Sequence, residues 1–293
     1  MKKVAVLLLG TVMLSGCGSD DSGDSRASRS YIGAIESVDQ SNDSMIVNSM
    51  PLSLASANIE LNGHYVNSTE LDVGMQVDIE YDDGVAYEVD IDPEIVGMVT
   101  DVTPTTITVN GQVLNTKKDF TGNALEGKRA MLFGYVDQHE HWQINAAYEV
   151  GSIPVLDLYE GRITSVPTFG SFNIGTLSVN YSNNNIDSED RHELKQGAWV
   201  EIEGRYDSAN NFSAYEVDVE DGLDLANAEI EGYVTAINTN KTSMTLNGKT
   251  VVAITENTRF EDGIKSDLAI GRKVDVDLIN NAGQLQASEI EFD

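Results

Sequence analysis

Four stretches of the chain repeat one pattern, and this repetition constrains the fold more than any single motif does. Each stretch opens with a glycine inside an alternating segment: Tyr31-Ile-Gly33-Ala-Ile-Glu-Ser-Val38, Ile95-Val-Gly97-Met-Val-Thr-Asp-Val102, Tyr159-Glu-Gly161-Arg-Ile-Thr-Ser-Val166 and Ile230-Glu-Gly232-Tyr-Val-Thr-Ala-Ile237. Each closes on a second signature: Ala86-Tyr-Glu88-Val89, Ala147-Tyr-Glu149-Val150, Ala214-Tyr-Glu216-Val217 and Ala287-Ser-Glu289-Ile290. A further glycine (Gly74, Gly127, Gly197, Gly271) precedes a later strand in each. Opening glycine and closing glutamate stand 55, 52, 55 and 57 residues apart. This constancy predicts four copies of one small domain, over 31–92, 95–150, 158–220 and 228–293.

Within a unit the apolar period is two. Ser44–Asn48, Thr106–Val109, Gly175–Val179 and Ser243–Leu246 read as second strands, and the runs Val251–Ile254 and Asn58–Leu61 as third strands. A short polar stretch with one leucine, such as Ser68-Thr-Glu-Leu71 or Ser266-Asp-Leu268, leaves room for one helical turn before each middle glycine. An all-β chain of four tandem, five-stranded, OB-like β-barrels follows, with a small sandwich or an SH3-like barrel as the competing architecture. The hairpin Val77–Ile91 favours a three-residue loop ending on Gly84, which keeps one face apolar by setting Ile79 against Tyr87 and Val77 against Val89. That register places Asp78 across from Glu88. Tyr87, Tyr148 and Tyr215 are expected to point inward, and Trp142 and Trp199 either to line a barrel rim or to mark a partner or glycan patch.

Asp and Glu number 48 against 18 Lys and Arg, a formal charge of −30. Such a surface repels phosphate backbones and excludes nucleic acid as a partner. Residues 31–92 hold 13 of the carboxylates and no Lys or Arg, whereas 95–150 hold 6 against 4 Lys and Arg, and Ala130-Met-Leu-Phe133 lacks the alternating acids of the other units. Asp78 and Glu80 recur as Glu201 and Glu203 and as Asp275 and Asp277. Such rows are the solvated outer face of a half-buried sheet, and their hard oxygen donors also suit calcium. Asp78, Glu80 and Glu88 are the candidate ligands for weak calcium binding; no other cofactor is implied. His139-Glu140-His141 could begin a metal site, but it falls where a hairpin turns and reads as a solvated loop. The sequence has no nucleophile elbow, phosphate loop, zinc-protease or dinucleotide motif, so no catalytic residue is assigned and the chain is read as a non-enzyme.

The single cysteine lies near the start. Lys2 and Lys3, the apolar run Val4–Leu14 and Leu14-Ser15-Gly16-Cys17 resemble a bacterial lipoprotein signal peptide and lipobox. The resemblance implies removal of residues 1–16 and acylation of Cys17, which would anchor the protein to the lipid bilayer. Gly18 in place of Asp implies delivery to the outer membrane. Residues 17–30 read as a flexible tether.

The repeat motifs, taken in order behind a lipobox, resemble the domain-of-unknown-function 5666 family, found in tandem in exported bacterial lipoproteins. That resemblance covers residues 31–293 and brings no catalytic residues with it. The functional expectation is a lipid-anchored binding or assembly module of the cell envelope with a protein or glycan partner. The alternatives are a structural spacer or calcium-dependent surface protein and, furthest from the pattern, an envelope hydrolase.

Overall fold

The computed structural model describes residues 29–117, 120, 123–188, 190–208, 210–220, 225 and 227–292. The signal region, Cys17 and nearly all of the tether lie outside the described residues. The first unit comprises β1 (Arg29–Asp39), β2 (Ser44–Val47), β3 (Met50–Ser53), β4 (Asn58–Leu61), β5 (His64–Tyr65), β6 (Gln76–Asp82) and β7 (Val85–Ile91). The second comprises β8 (Ile95–Val102), β9 (Thr106–Val109), β10 (Gln112–Thr116), β11 (Arg129–Val136) and β12 (Trp142–Glu149). The third comprises β13 (Asp157–Arg162), β14 (Ser171–Ile174), β15 (Leu177–Asn180), β16 (Trp199–Ser208) and β17 (Asn211–Glu220). The fourth comprises β18 (Ala228–Ile237), β19 (Ser243–Leu246), β20 (Thr250–Ala253), β21 (Arg259–Glu261), β22 (Lys273–Asn281) and β23 (Gln284–Phe292).

The architecture is all-β, and every unit closes on itself in the same way. In the second unit β8 pairs with β9, β9 with β10, β10 in parallel with β12, β12 with β11, and β11 back to β8. The others repeat this first-second-third-fifth-fourth-first circuit, an order in keeping with an OB-like barrel. A single 3₁₀ turn fills the expected place before each middle glycine, at Ser68–Glu70, Asn123–Leu125, Asp190–His192 and Lys265–Asp267. Those glycines have φ of 88°, 78°, 92° and 85°, a region closed to most side chains.

Several details differ from expectation. In the third unit the second strand is Ser171–Ile174, and the stretch Gly175–Val179 expected there is the turn Gly175-Thr176 and the start of the third strand. The third strand of the first unit is Met50–Ser53, while Asn58–Leu61 is an added strand running parallel to β7. Pro51 hides the true third strand, because Met-Pro-Leu-Ser shows no alternation and proline reads as a strand breaker. The β6–β7 hairpin turns on two residues, Asp83 and Gly84, both at positive φ (50° and 77°). It then takes a bulge, so that Ile79 faces Val89, Asp78 faces Asp90 and Glu80 faces Glu88. The extra residue is Tyr87, and Tyr215 and Ser288 occupy the same bulged place. This explains the repeated Ala-x-Glu signature: the alanine packs inward, the middle residue is pushed out, and the glutamate resumes the outer row. Tyr87 and Tyr215 are accordingly exposed rather than inward. In the second unit the bulge falls at Asn145, so Ile144-Asn-Ala-Ala147 matches the closing signature and Ala147-Tyr-Glu149-Val150 does not.

The four barrels form one body. Strand β8 pairs antiparallel with β13, Tyr159 against Ile95, and the second and third units share one core. Strand β1 pairs in parallel with β18, which sets the first unit beside the last. A parallel pair keeps partnered side chains on one face, so Tyr31, in the core of the first unit, lies on the face of Glu229 in the fourth. There its hydroxyl donates to Asp275 Oδ1 at 3.1 Å. The second unit's outward face, with Val96, Met131, Phe133 and Ala146, completes the core of the first unit. Met131 and Phe133 stand where the other units carry acids. Their strand is buried on both faces, and a charge there would have to leave water without a partner.

Candidate functional site

Carboxylates form rows across the outer faces of three units. In the first, Glu60, Asp90 and Asp78 stand side by side on β4, β7 and β6, with Glu88 against Glu80 in the next row. The third unit aligns Glu160, Glu201 and Asp218 on β13, β16 and β17. The fourth aligns Glu231, Asp275 and Glu291, then Glu229, Asp277 and Glu289. Two of these faces are met by cations: Lys273 reaches Glu231 at 2.7 Å and Arg259 pairs with Glu289 in the fourth, and Lys249 serves the third.

In the first unit the chain supplies no Lys or Arg between 31 and 92. Asp78 accepts a hydrogen bond from Ser30 Oγ at 3.1 Å. Burial, with Asp92 and Glu80 close by, pushes its carboxyl up to about 6. Asp90, flanked on both sides, is raised to about 7 by burial and then by Glu88, Asp78 and Glu60. Glu88 is raised as well, by burial and then by Glu80 and Glu60. Of the three proposed calcium ligands, Glu80 and Glu88 face each other, while Asp78 faces Asp90.

A second cluster forms where units meet. Asp92 and Glu94 flank Pro93 on the connection from β7 to β8, and Glu160 precedes the opening glycine of the third unit, where the first two units carry Ile32 and Val96. Asp92, Glu160 and Glu201 bring one oxygen each to within 4.8 Å of one another. At that separation two full charges repel by about 3–4 kcal/mol for an effective dielectric constant near 20. Glu160, 2% exposed, accepts from Trp199 Nε1 at 2.8 Å and from Lys249 Nζ at 3.0 Å. Glu94 accepts from the Gly134 amide at 3.0 Å. Burial raises the carboxyls of both Glu94 and Glu160, and the ammonium of Lys249 opposes that rise. Glu220, at the end of β17, has water on one side and the junction on the other. Its carboxyl is pushed up toward about 7 by the surrounding protein and by Glu160 and Asp92, with Lys249 and solvent screening working against the shift. Lys249 is itself held well above the usual lysine range, its burial outweighed by Glu160, Asp92, Glu94 and Glu220.

One inserted residue delivers that lysine. The turns between second and third strands have two residues in the first three units, Asn48-Ser49, Asn110-Gly111 and Gly175-Thr176. In the fourth, Leu246 pairs with Thr250 and the turn is Asn247-Gly248-Lys249, with φ of 53° and 83° at its first two positions. The tip docks on both middle units: the Val136 amide donates to Asn247 O at 3.1 Å, and Arg162 Nη2 donates to Gly248 O at 2.6 Å. Beside it Tyr135 and Tyr233 stack at 4.5 Å, and Lys117 Nζ donates to Tyr233 Oη at 2.8 Å.

The remaining candidates fall elsewhere. Trp142 and Trp199 are buried and meet edge to face at 6.1 Å, so neither marks an exposed patch; Trp199 lies on the face of Glu160 and Glu201, at the junction. His139 and His141 sit on an exposed turn, their amides donating to Asp137 Oδ1.

Residues 160–218 and 231–291 each match the family described as domain of unknown function DUF5666. The third and fourth units are DUF5666 domains. The two matches lie in tandem, and both DUF5666 copies carry the carboxylate rows and the glutamate before the opening glycine. No curated protein matches the chain.

Proposed function

We propose that the protein is a non-enzymatic, lipid-anchored module of the bacterial outer membrane that binds or assembles a protein or glycan partner. The observation that carries this reading is an apolar loop tip held by its own backbone hydrogen bonds. Phe169 is 95% exposed and Val166 70% exposed in the connection between the first two strands of the third unit. The tip is fixed in place: Thr168 and Ser171 exchange both backbone hydrogen bonds, and the Tyr181 amide donates to Gly170 O. A fixed, exposed aromatic costs little ordering entropy on binding and is the side-chain type that anchors interfaces. The ends of the hairpins between second and third strands, by contrast, are engaged inside the molecule: Asn48 in the first unit's turn donates to Glu229, and Gln112, the first residue of β10, donates to Asn210. The pairing of β1 with β18 also argues against an extended spacer, since the first and last units are neighbours.

The test is capture from envelope extracts by the full acylated chain, compared with a Val166→Ser/Phe169→Ser variant. A saturable partner that the variant loses, while its circular dichroism stays unchanged, supports the reading. Equal capture by both, or none by either, overturns it. A calcium-dependent form is favoured by the unit 1 carboxylates, since residues 31–92 contain no lysine or arginine. It requires millimolar calcium to raise the melting midpoint of the full chain at pH 8, and identical midpoints would remove it.

A further inference from the structure

Among the described residues, the junction beneath the fourth unit's turn gathers Glu160, Asp92, Glu94 and Glu220 around one ammonium, that of Lys249. Lys249 is faced from β13 by Glu160, with Arg162 of that strand bound to the neighbouring Gly248 carbonyl. From the 92–94 connection it is faced by Asp92 and Glu94, and from the end of β17 by Glu220. Asp218 lies behind Glu220, Glu201 completes the close carboxylate triad from β16, and Glu140, from the β11–β12 turn, reaches Arg162 at 3.6 Å. These groups come from three units and one connection, so their charge balance acts on docking and not on any one barrel.

We propose that this junction is a proton-operated lock: protons shared among its surplus carboxylates, together with the Lys249 ammonium, hold the fourth unit against the second and third, and loss of those protons loosens the hold. The geometry gives the direction. Burying several carboxylates around one ammonium favours the protonated form of those beyond the first, so the docked state holds more protons than the undocked one. Docking is therefore tightest in mildly acid solution and weakens as pH rises through neutrality. The upward displacement of Glu94, Glu160 and Glu220 agrees in sign. Glu220, raised to about 7, gives up its proton around neutrality, which places the working range of the lock there. Lys249 stays charged throughout and serves as the fixed half of the lock. This inference is independent of the Phe169 tip.

The Val136 amide reports the lock directly, because its hydrogen bond crosses from the second unit to Asn247 of the fourth. Hydrogen exchange of the full chain, in EDTA and corrected for intrinsic pH dependence, would compare Val136 with Leu132, whose strand pairing lies within the second unit and its connection. The expected result is a protection ratio that falls about tenfold between pH 6 and 8.5, one proton's worth of linkage over roughly one pH unit. The Glu94→Gln variant, neutral at every pH and still able to accept the Gly134 hydrogen bond, should flatten that fall. A constant ratio in the wild-type chain overturns the proposal, as does an undiminished fall in Glu94→Gln. If that variant does not fold, the wild-type ratio decides alone.

Discussion

Asp90→Asn in the first unit should stabilise the protein at alkaline pH and do little at acid pH. Asp90 sits between Glu60 on β4 and Asp78 on β6, with Glu88 two residues away, and its carboxyl is raised from the ordinary 3.8 to about 7. The sign follows from proton counting. Between the unfolded value near 4 and the folded value near 7 the native state binds more protons than the unfolded chain. Stability therefore falls as pH rises through that window and levels off above it. The rise from 3.8 to about 7 corresponds to roughly 4 kcal/mol, and the half-buried position of Asp90 reduces this to on the order of 2–3 kcal/mol. Asparagine keeps the shape, removes the charge and also relieves Asp78. Urea unfolding of wild type and variant in EDTA at pH 5, 6, 7 and 8 measures the difference. A separation that widens steadily from pH 5 and reaches about 2–3 kcal/mol at pH 8 is expected. A variant no more stable than wild type at pH 8, or a separation independent of pH, would refute the assignment of repulsion to this row.

Further substitutions probe the docking of units. Phe133→Ala empties a 1% exposed site between the first and second units and should cost about 3–5 kcal/mol in urea unfolding, with protection lost in both units rather than one. Gly248→Ala forces a Cβ into the left-handed region at φ 83° and to within 2.6 Å of Val136 O. A loss of at least about 1–2 kcal/mol is expected, together with faster exchange at Val136. Lys249→Met, which leaves Glu160 buried without its cation, should destabilise by about 3–5 kcal/mol at pH 8 and by less at pH 5, where Glu160 can take a proton instead.

Local pattern carried much of the architecture. Alternation revealed the strands because each sheet has one wet face, and the middle glycines stood out because only glycine enters their backbone region cheaply. Reading failed where pattern and register part company. A bulge leaves no mark in composition, so parity points Tyr87 and Tyr215 inward, and Ala147-Tyr-Glu149-Val150 matches a signature whose structural equivalent lies three residues earlier. Pro51 concealed a true strand. The junction was less legible still, since Asp92, Glu94, Glu160, Glu201 and Lys249 meet only after β1 has paired with β18 and β8 with β13. Two signals did exist: an acid at the position before the opening glycine in the third and fourth units, and one residue more in the fourth unit's Asn-Gly turn.

The second unit shows how assembly writes itself into a repeat. Its sister units keep acids at the positions of Met131 and Phe133 because those faces meet water or a cation, and the rows cost self-repulsion that protons, Lys249, Lys273 and Arg259 offset. The second unit alone turns that face onto a neighbour's core, where the same acids would be stranded, and there the row is replaced by apolar side chains. Substituting Met131→Asp, which restores the acid of the other units, should then be far more damaging than Asp78→Met in the first unit, although both exchange the same two residue types at one repeat position. What decides the outcome is which face a neighbouring unit covers. A chain of independent barrels would tolerate both changes alike, whereas four docked barrels must not.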